Sequence, residues 1–84
     1  MADVTIYRTN YCSYCDRAER LLDDMGVEYE EIDVTNDEET RDELVERTGQ
    51  STVPQIFIDD ESIGGYDELR EMKASGALEE RLEM

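Results

Sequence analysis

The 84-residue chain has no histidine, one proline, one lysine and two cysteines. Each scarcity narrows what it can be. With no imidazole and two thiols, one chain cannot complete a tetrahedral structural zinc site. With eight basic residues against 24 acidic ones, a net charge of −16, it has no footprint for nucleic acid or an anionic membrane. No apolar stretch approaches the roughly 20 residues of a membrane span. The start, "MADVTIYRTN", lacks the basic and apolar regions of a signal peptide. The expectation is a soluble, cytoplasmic, monomeric protein. In a reducing cytosol a close cysteine pair is more often catalytic or metal-binding than a permanent disulfide.

What is abundant is acid. High charge with modest hydrophobicity also marks disordered chains, but here the apolar residues are periodic and the acids are interleaved with them along the whole length. Adaptation to molar salt, where the Debye length falls to about 3 Å, accounts for such a surface better.

The pattern predicts one domain over residues 1–84, without repeats or linkers. "DVTIY" (3–7) alternates as a strand. Cys15, Ala18, Leu21, Leu22 and Met25 recur at helical spacing up to Gly26. "VEYEEIDV" (27–34) is strand-like, but its apolar phase slips between Tyr29 and Ile32, as in an edge strand or a bulge. Thr35 with Glu38, or Asn36 with Glu39, offers a capping box for a second helix ending at Gly49. That helix has a thin apolar face of Leu44 and Val45. "PQIFID" (54–59) suits a central strand covered on both faces, and "DDE" turns it into a partner strand, "SIGG". A third helix begins near Asp67, and Gly76 interrupts it before a last amphipathic turn with Leu78 and Leu82. The order β-α-β-α-β-β-α, with a right-handed first crossover, predicts an α/β thioredoxin-like fold. It is a four-stranded mixed sheet with helices on both faces and the cysteines at the end of a parallel strand.

"CSYC" (12–15) follows that strand and opens a helix. A disulfide there would close too short a loop to constrain the unfolded chain much. A redox pair uses the position better. Cys12 lies where unpaired N–H groups and the helix dipole favour an anion such as a thiolate. Cys15, one turn on, should be the more buried, resolving thiol. Pro54 alone reads as a trans proline starting a strand, and Gly64-Gly65 as an ordinary turn.

Together with "TVPQIFID" (52–59) and "IGGYDEL" (63–69), however, "CSYC" closely resembles the glutaredoxin family over essentially the whole chain. The resemblance implies a thiol–disulfide oxidoreductase acting on mixed and protein disulfides, with Cys12 as nucleophile and Cys15 as resolving thiol. It implies that Tyr14 lines the site and that Val53-Pro54 is a cis peptide whose Val53 backbone pairs with the cysteinyl part of glutathione. Thr52 lies in the same segment, Gln50 helps at the glycine end, and Gly65, Tyr66 and Asp67 hold the γ-glutamyl end. No tightly bound cofactor is implied.

The chain departs from the family in three places. Ser13 replaces the common proline after the first cysteine, and Thr9 stands where many members have a lysine that meets the glycine carboxylate of glutathione. Asp16 directly after the pair would oppose a thiolate, while the neighbouring Arg8 is expected to face away from the site. A kept γ-glutamyl site with a relaxed glycine end would also suit γ-glutamylcysteine, a thiol of some salt-loving organisms.

Two other readings stay open: a thioredoxin-like electron donor reduced by a flavin reductase, and a carrier of a [2Fe–2S] cluster held by Cys12 of two protomers with two small thiols. A brown colour after anaerobic purification marks the latter.

Overall fold

Val4 and Ile6 alternate onto one face of the first strand, β1 (Val4–Arg8), and both are buried. The computed structural model describes residues 2–84. After β1 come α1 (Ser13–Asp24), β2 (Glu30–Asp33), α2 (Glu38–Thr48), β3 (Gln55–Ile58), β4 (Glu61–Gly64), α3 (Tyr66–Ser75) and a short α4 (Ala77–Arg81). The strands form one sheet in the order β2-β1-β3-β4. β1 and β2 are parallel, whereas β1 with β3 and β3 with β4 are antiparallel. This is the expected thioredoxin-like sheet, and the last helical turns form an element of their own.

All four residues of β3 are buried, as a strand covered on both faces requires. On one face Ile56 and Ile58 join Val4, Ile6, Ala18, Leu22, Leu69, Leu78 and Leu82 in a single apolar cluster, so α1, α3 and α4 share that layer. On the other face the Phe57 ring meets Tyr7 edge-on at 5.6 Å. Of the two apolar residues expected to face inward from α2, Leu44 is buried and Val45 stays exposed. The gap is covered by the Arg47 guanidinium, 4.2 Å from the Phe57 ring centroid, a cation–π contact that also lays an aliphatic stem on apolar surface.

One local expectation is corrected. The cap of α2 is Asp37, not Thr35 or Asn36. Its carboxylate accepts the Thr40 N–H at 3.1 Å and the Thr40 hydroxyl at 2.7 Å, because an ionised acid is the stronger acceptor at a helix N-terminus. Thr35 instead accepts the Asn10 N–H at 2.9 Å, tying the loop after β2 to the loop that carries the cysteines. The phase slip in 27–34 marks the sheet edge, since β2 is outermost. The irregular register lies elsewhere, between Ile56 and Phe57 where β3 pairs with β4. Asp59 and Asp60 join those strands with φ of +52° and +66°, the two-residue turn that matches strand twist.

α2 ends at Gly49 and α3 at Gly76, both in the left-handed region, where a residue without Cβ is unstrained. None of the helices is long and apolar enough to cross a membrane among the described residues.

Candidate active site

The loop from β1 to α1 delivers Cys12 as the N-cap of α1, with extended backbone. Its Sγ accepts the Cys15 N–H at 3.1 Å, and the thiol is directed at the Val53 carbonyl at 3.6 Å. Both cysteines are free thiols; Cys12 is partly exposed and Cys15 is buried. Burial first, then the hydrogen bond with Cys12, push the Cys15 thiol up to about 12, while a backbone hydrogen bond from Thr9 and the Arg8 charge pull the other way. The two sulfurs are therefore unlike. One is partly exposed at the N-cap of α1; the other is held protonated in the interior.

Beside Cys12 lies an open groove of about 330 Å³. Tyr14 lines it from α1, Gln50, Thr52, Val53 and Pro54 from the segment entering β3, and Gly65, Tyr66 and Asp67 from the start of α3. The fold thus brings Tyr14, Gln50, Thr52, Val53, Pro54, Gly65, Tyr66 and Asp67 into one groove, which Val53 joins to Cys12. The Val53–Pro54 peptide is cis. A Cβ on Gly65 would stand 3.2 Å from the Pro54 carbonyl oxygen, so glycine permits the two walls to approach. The Tyr14 and Tyr66 rings are 6.0 Å apart, and Tyr66 also packs against the core cluster. It fills space and lines the groove at once.

Four contributors were missed. Glu68 reaches back to accept the Gly65 N–H at 3.2 Å, and the first-turn N–H groups of Tyr66 and Asp67 have no intrahelical acceptor. Glutamate three residues into a helix was a readable capping signal, hidden by a glycine rather than a serine or threonine at the cap. Buried Gln55 donates to Gln50 Oε1 at 3.1 Å and to the Thr52 carbonyl at 2.9 Å, so it sets the wall that Gln50 and Thr52 form. Arg41 lines a recess of about 150 Å³ that shares Gln50, Thr52 and Val53 with the groove. It brings a cation to the end where Thr9 was expected. Thr9 is fully buried, with no hydrogen-bond partner for its hydroxyl, and does not line the groove.

The fourth is Arg8. It faces away from the groove, as expected, but it is not at the surface: it continues the Val4–Ile6 face and is buried under α1. Its guanidinium donates to Asp16 at 2.7 Å, to Glu19 at 2.8 Å and to the Thr9 carbonyl at 3.1 Å. Burial opposes the Arg8 charge, but the two carboxylates outweigh it and raise its pKa above the ordinary value. Asp16 therefore does not stand as an uncompensated charge beside the cysteines.

The glutaredoxin family model matches residues 4–63. The chain belongs to the glutaredoxin family. It is 44% identical over 79 residues to glutaredoxin 3 of Escherichia coli (strain K12), covering 94% of this chain and 95% of that protein. Its fold superposes on a buckwheat glutaredoxin–glutathione complex with a TM-score of 0.91 at 32% identity, covering 96% of this chain and 76% of the other. It superposes on a glutaredoxin of Brucella melitensis with a TM-score of 0.85 at 44% identity, covering 95% and 87%. As a glutaredoxin, it is a thiol–disulfide oxidoreductase.

Proposed function

We propose that this glutaredoxin reduces mixed and protein disulfides with a γ-glutamyl thiol, glutathione or γ-glutamylcysteine, through the Cys12–Cys15 dithiol. The supporting observation is the placement of Cys12: a part-exposed sulfur at a helix N-terminus, directed at the carbonyl of Val53, which lines a groove of small-ligand size. The Cys12 thiolate attacks the thiol-derived sulfur of a mixed disulfide, the protein substrate leaves as a thiol, and a second small thiol frees Cys12. On protein disulfides Cys15 resolves the intermediate instead.

The Val53 backbone pairs with the cysteinyl part of the thiol. The Tyr66 and Asp67 N–H groups face the γ-glutamyl carboxylate, and the Asp67 carboxylate takes the ammonium. Gln50 and Arg41 stand at the opposite end, where glutathione carries a glycine carboxylate and γ-glutamylcysteine ends one residue earlier.

Asp67→Ala removes one charge-assisted hydrogen bond, worth about 1.5–3 kcal/mol. KM for either thiol is expected to rise on the order of tenfold or more with kcat little changed. An unaltered KM would remove Asp67 from the site. The two thiols are told apart by comparing their kcat/KM in molar KCl, where a large preference for glutathione would count against γ-glutamylcysteine. Turnover with thioredoxin reductase and NADPH, without any small thiol, would put the electron-donor reading first. Visible absorbance after anaerobic purification, lost in Cys12→Ser, would establish cluster carriage between two copies.

The setting that fits is a cytoplasm of molar salt, in which a monomer of net charge −16 is relieved of self-repulsion. Its melting temperature is expected to climb with KCl, and equal melting in dilute buffer and molar KCl would rule this out.

A further inference from the structure

Among the described residues, Arg8 is the one cation that pairs with carboxylates of the dithiol helix from outside it, and its three bonds surround Cys15 in the chain. Nη2 grips Asp16, the next residue; Nη1 grips Glu19, one helical turn on along the same face; Nε holds the carbonyl of Thr9 in the loop that leads to Cys12. Cys15 itself is fully buried, so its thiolate must form without bulk water. We propose that Arg8 is a positioning residue for the resolving step: its buried, doubly anchored charge favours the Cys15 thiolate and fixes the start of α1 against the loop. The inference rests on Cys15 being the resolving thiol and concerns that step alone.

In that step the Cys15 thiolate attacks the Cys12 sulfur of Cys12–S–S–R. The Cys12–Cys15 bond forms, the bond to R breaks, and R departs as a thiolate that takes up a proton. The proton shed by Cys15 passes to solvent. The dithiol is oxidised by two electrons, which the substrate disulfide has received; two small thiols later return them.

The charged and titratable groups around Cys15 make the direction plain. β1 contributes Arg8, and α1 contributes Cys12, Asp16 and Glu19. Glu31 of β2 and Tyr29 just before it lie behind Glu19, and α3 contributes Tyr66, across Tyr14. Of the cations nearby, Arg17 lies over the Tyr14 ring and Arg70 over the Tyr66 ring, and Arg8 is the one that bonds Thr9, Asp16 and Glu19. A nearby opposite charge shifts a titration by about one to three units. Arg8→Met therefore removes the cation that is bonded on both sides of Cys15 in the chain and leaves the Asp16 and Glu19 carboxylates without it.

The test follows a single turnover. The protein is loaded on Cys12 with 5-thio-2-nitrobenzoate, a coloured thiol that needs no γ-glutamyl site, and its release is timed across pH. In the wild type, release reports Cys15 attack; Cys15→Ser must abolish it, and undiminished release there would overturn the resolving role itself. In Arg8→Met, release at a given pH is expected to slow on the order of tenfold, with the logarithmic rate–pH line displaced upward by about one unit. Loading of Cys12 should change less than twofold, and Arg8→Lys should recover most of the release rate. Should Arg8→Met fold poorly, Arg8→Met/Glu19→Gln leaves no buried carboxylate unpaired and carries the same expectation. An unmoved release profile, or equal slowing of loading and release, would overturn the proposal.

Discussion

Cys12→Ser is expected to lose on the order of 10³-fold or more in turnover of a small mixed disulfide, equivalent to about 4 kcal/mol of barrier. Cys15→Ser should keep most of that activity and lose reduction of protein disulfides. The contrast follows from the unlike surroundings of the two sulfurs. Cys12 is the part-exposed one, at the N-cap of α1 beside the groove. A serine hydroxyl there still accepts the Cys15 N–H, so the helix start survives, but it is a poor nucleophile near neutral pH. Cys15 is fully buried and reaches only the sulfur in front of it, so small disulfides cannot use it as the first attacker. Steady-state rates with a glutathione mixed disulfide and with a protein disulfide decide the matter. Loss of both activities in both variants would mean that only the dithiol route operates.

Glu19→Gln should make the fold less sensitive to pH between about 5 and 8. The Glu19 side chain is 13% exposed, and its Oε1 bonds Arg8. Its Oε2 has no hydrogen-bond donor and lies beside the Glu31 carboxyl. Burial, then Glu31, push its pKa up from 4.5 to about 7 although Arg8 pulls it down. A proton on Oε2 turns the repulsion into a hydrogen bond. Because the folded value is above the unfolded one, the stabilisation is complete below pH 4.5 and disappears as pH rises through 7. Each unit is worth about 1.4 kcal/mol, so the wild type gives up on the order of 1–3 kcal/mol across that window. Glutamine has no proton to lose there. The stability of Glu19→Gln relative to wild type should therefore improve steadily from pH 5 to pH 8 in denaturant titrations. A difference that stays flat would place Glu19 at an ordinary pKa.

Legibility in the sequence followed how local the determining physics is. β1, α1 and β3 were readable because their burial is written as period: alternate apolar residues at Val4 and Ile6, a 3.6-residue stripe through Cys15, Ala18 and Leu22, and an unbroken apolar run in β3. The groove was readable through motifs, each short and contiguous, that the fold brings together from three places in the chain. What could not be read depends on partners distant in sequence. Arg8 on its own does not announce that Asp16 and Glu19 will meet it from a helix above. Val45 looked as apolar as Leu44, yet only Leu44 is buried in the fold. The cap of α2 was misplaced because Thr35, Asn36 and Asp37 are all competent caps. The choice went to Asp37 once Asn10 had claimed the Thr35 hydroxyl.

One of the two edge strands, β2, has the sequence Glu-Glu-Ile-Asp, with only Ile32 even half-buried. It was the least recognisable strand, and the reason is its place. A sheet rim offers a row of free N–H and C=O groups to any extended peptide, and natural proteins deter such pairing with charge. Three carboxylates on four residues make a second copy of this rim repel the first. The weakness of the strand signal thus follows from its place: carboxylates occupy the exposed rim positions, and the neighbouring β1 supplies the apolar residues Val4 and Ile6.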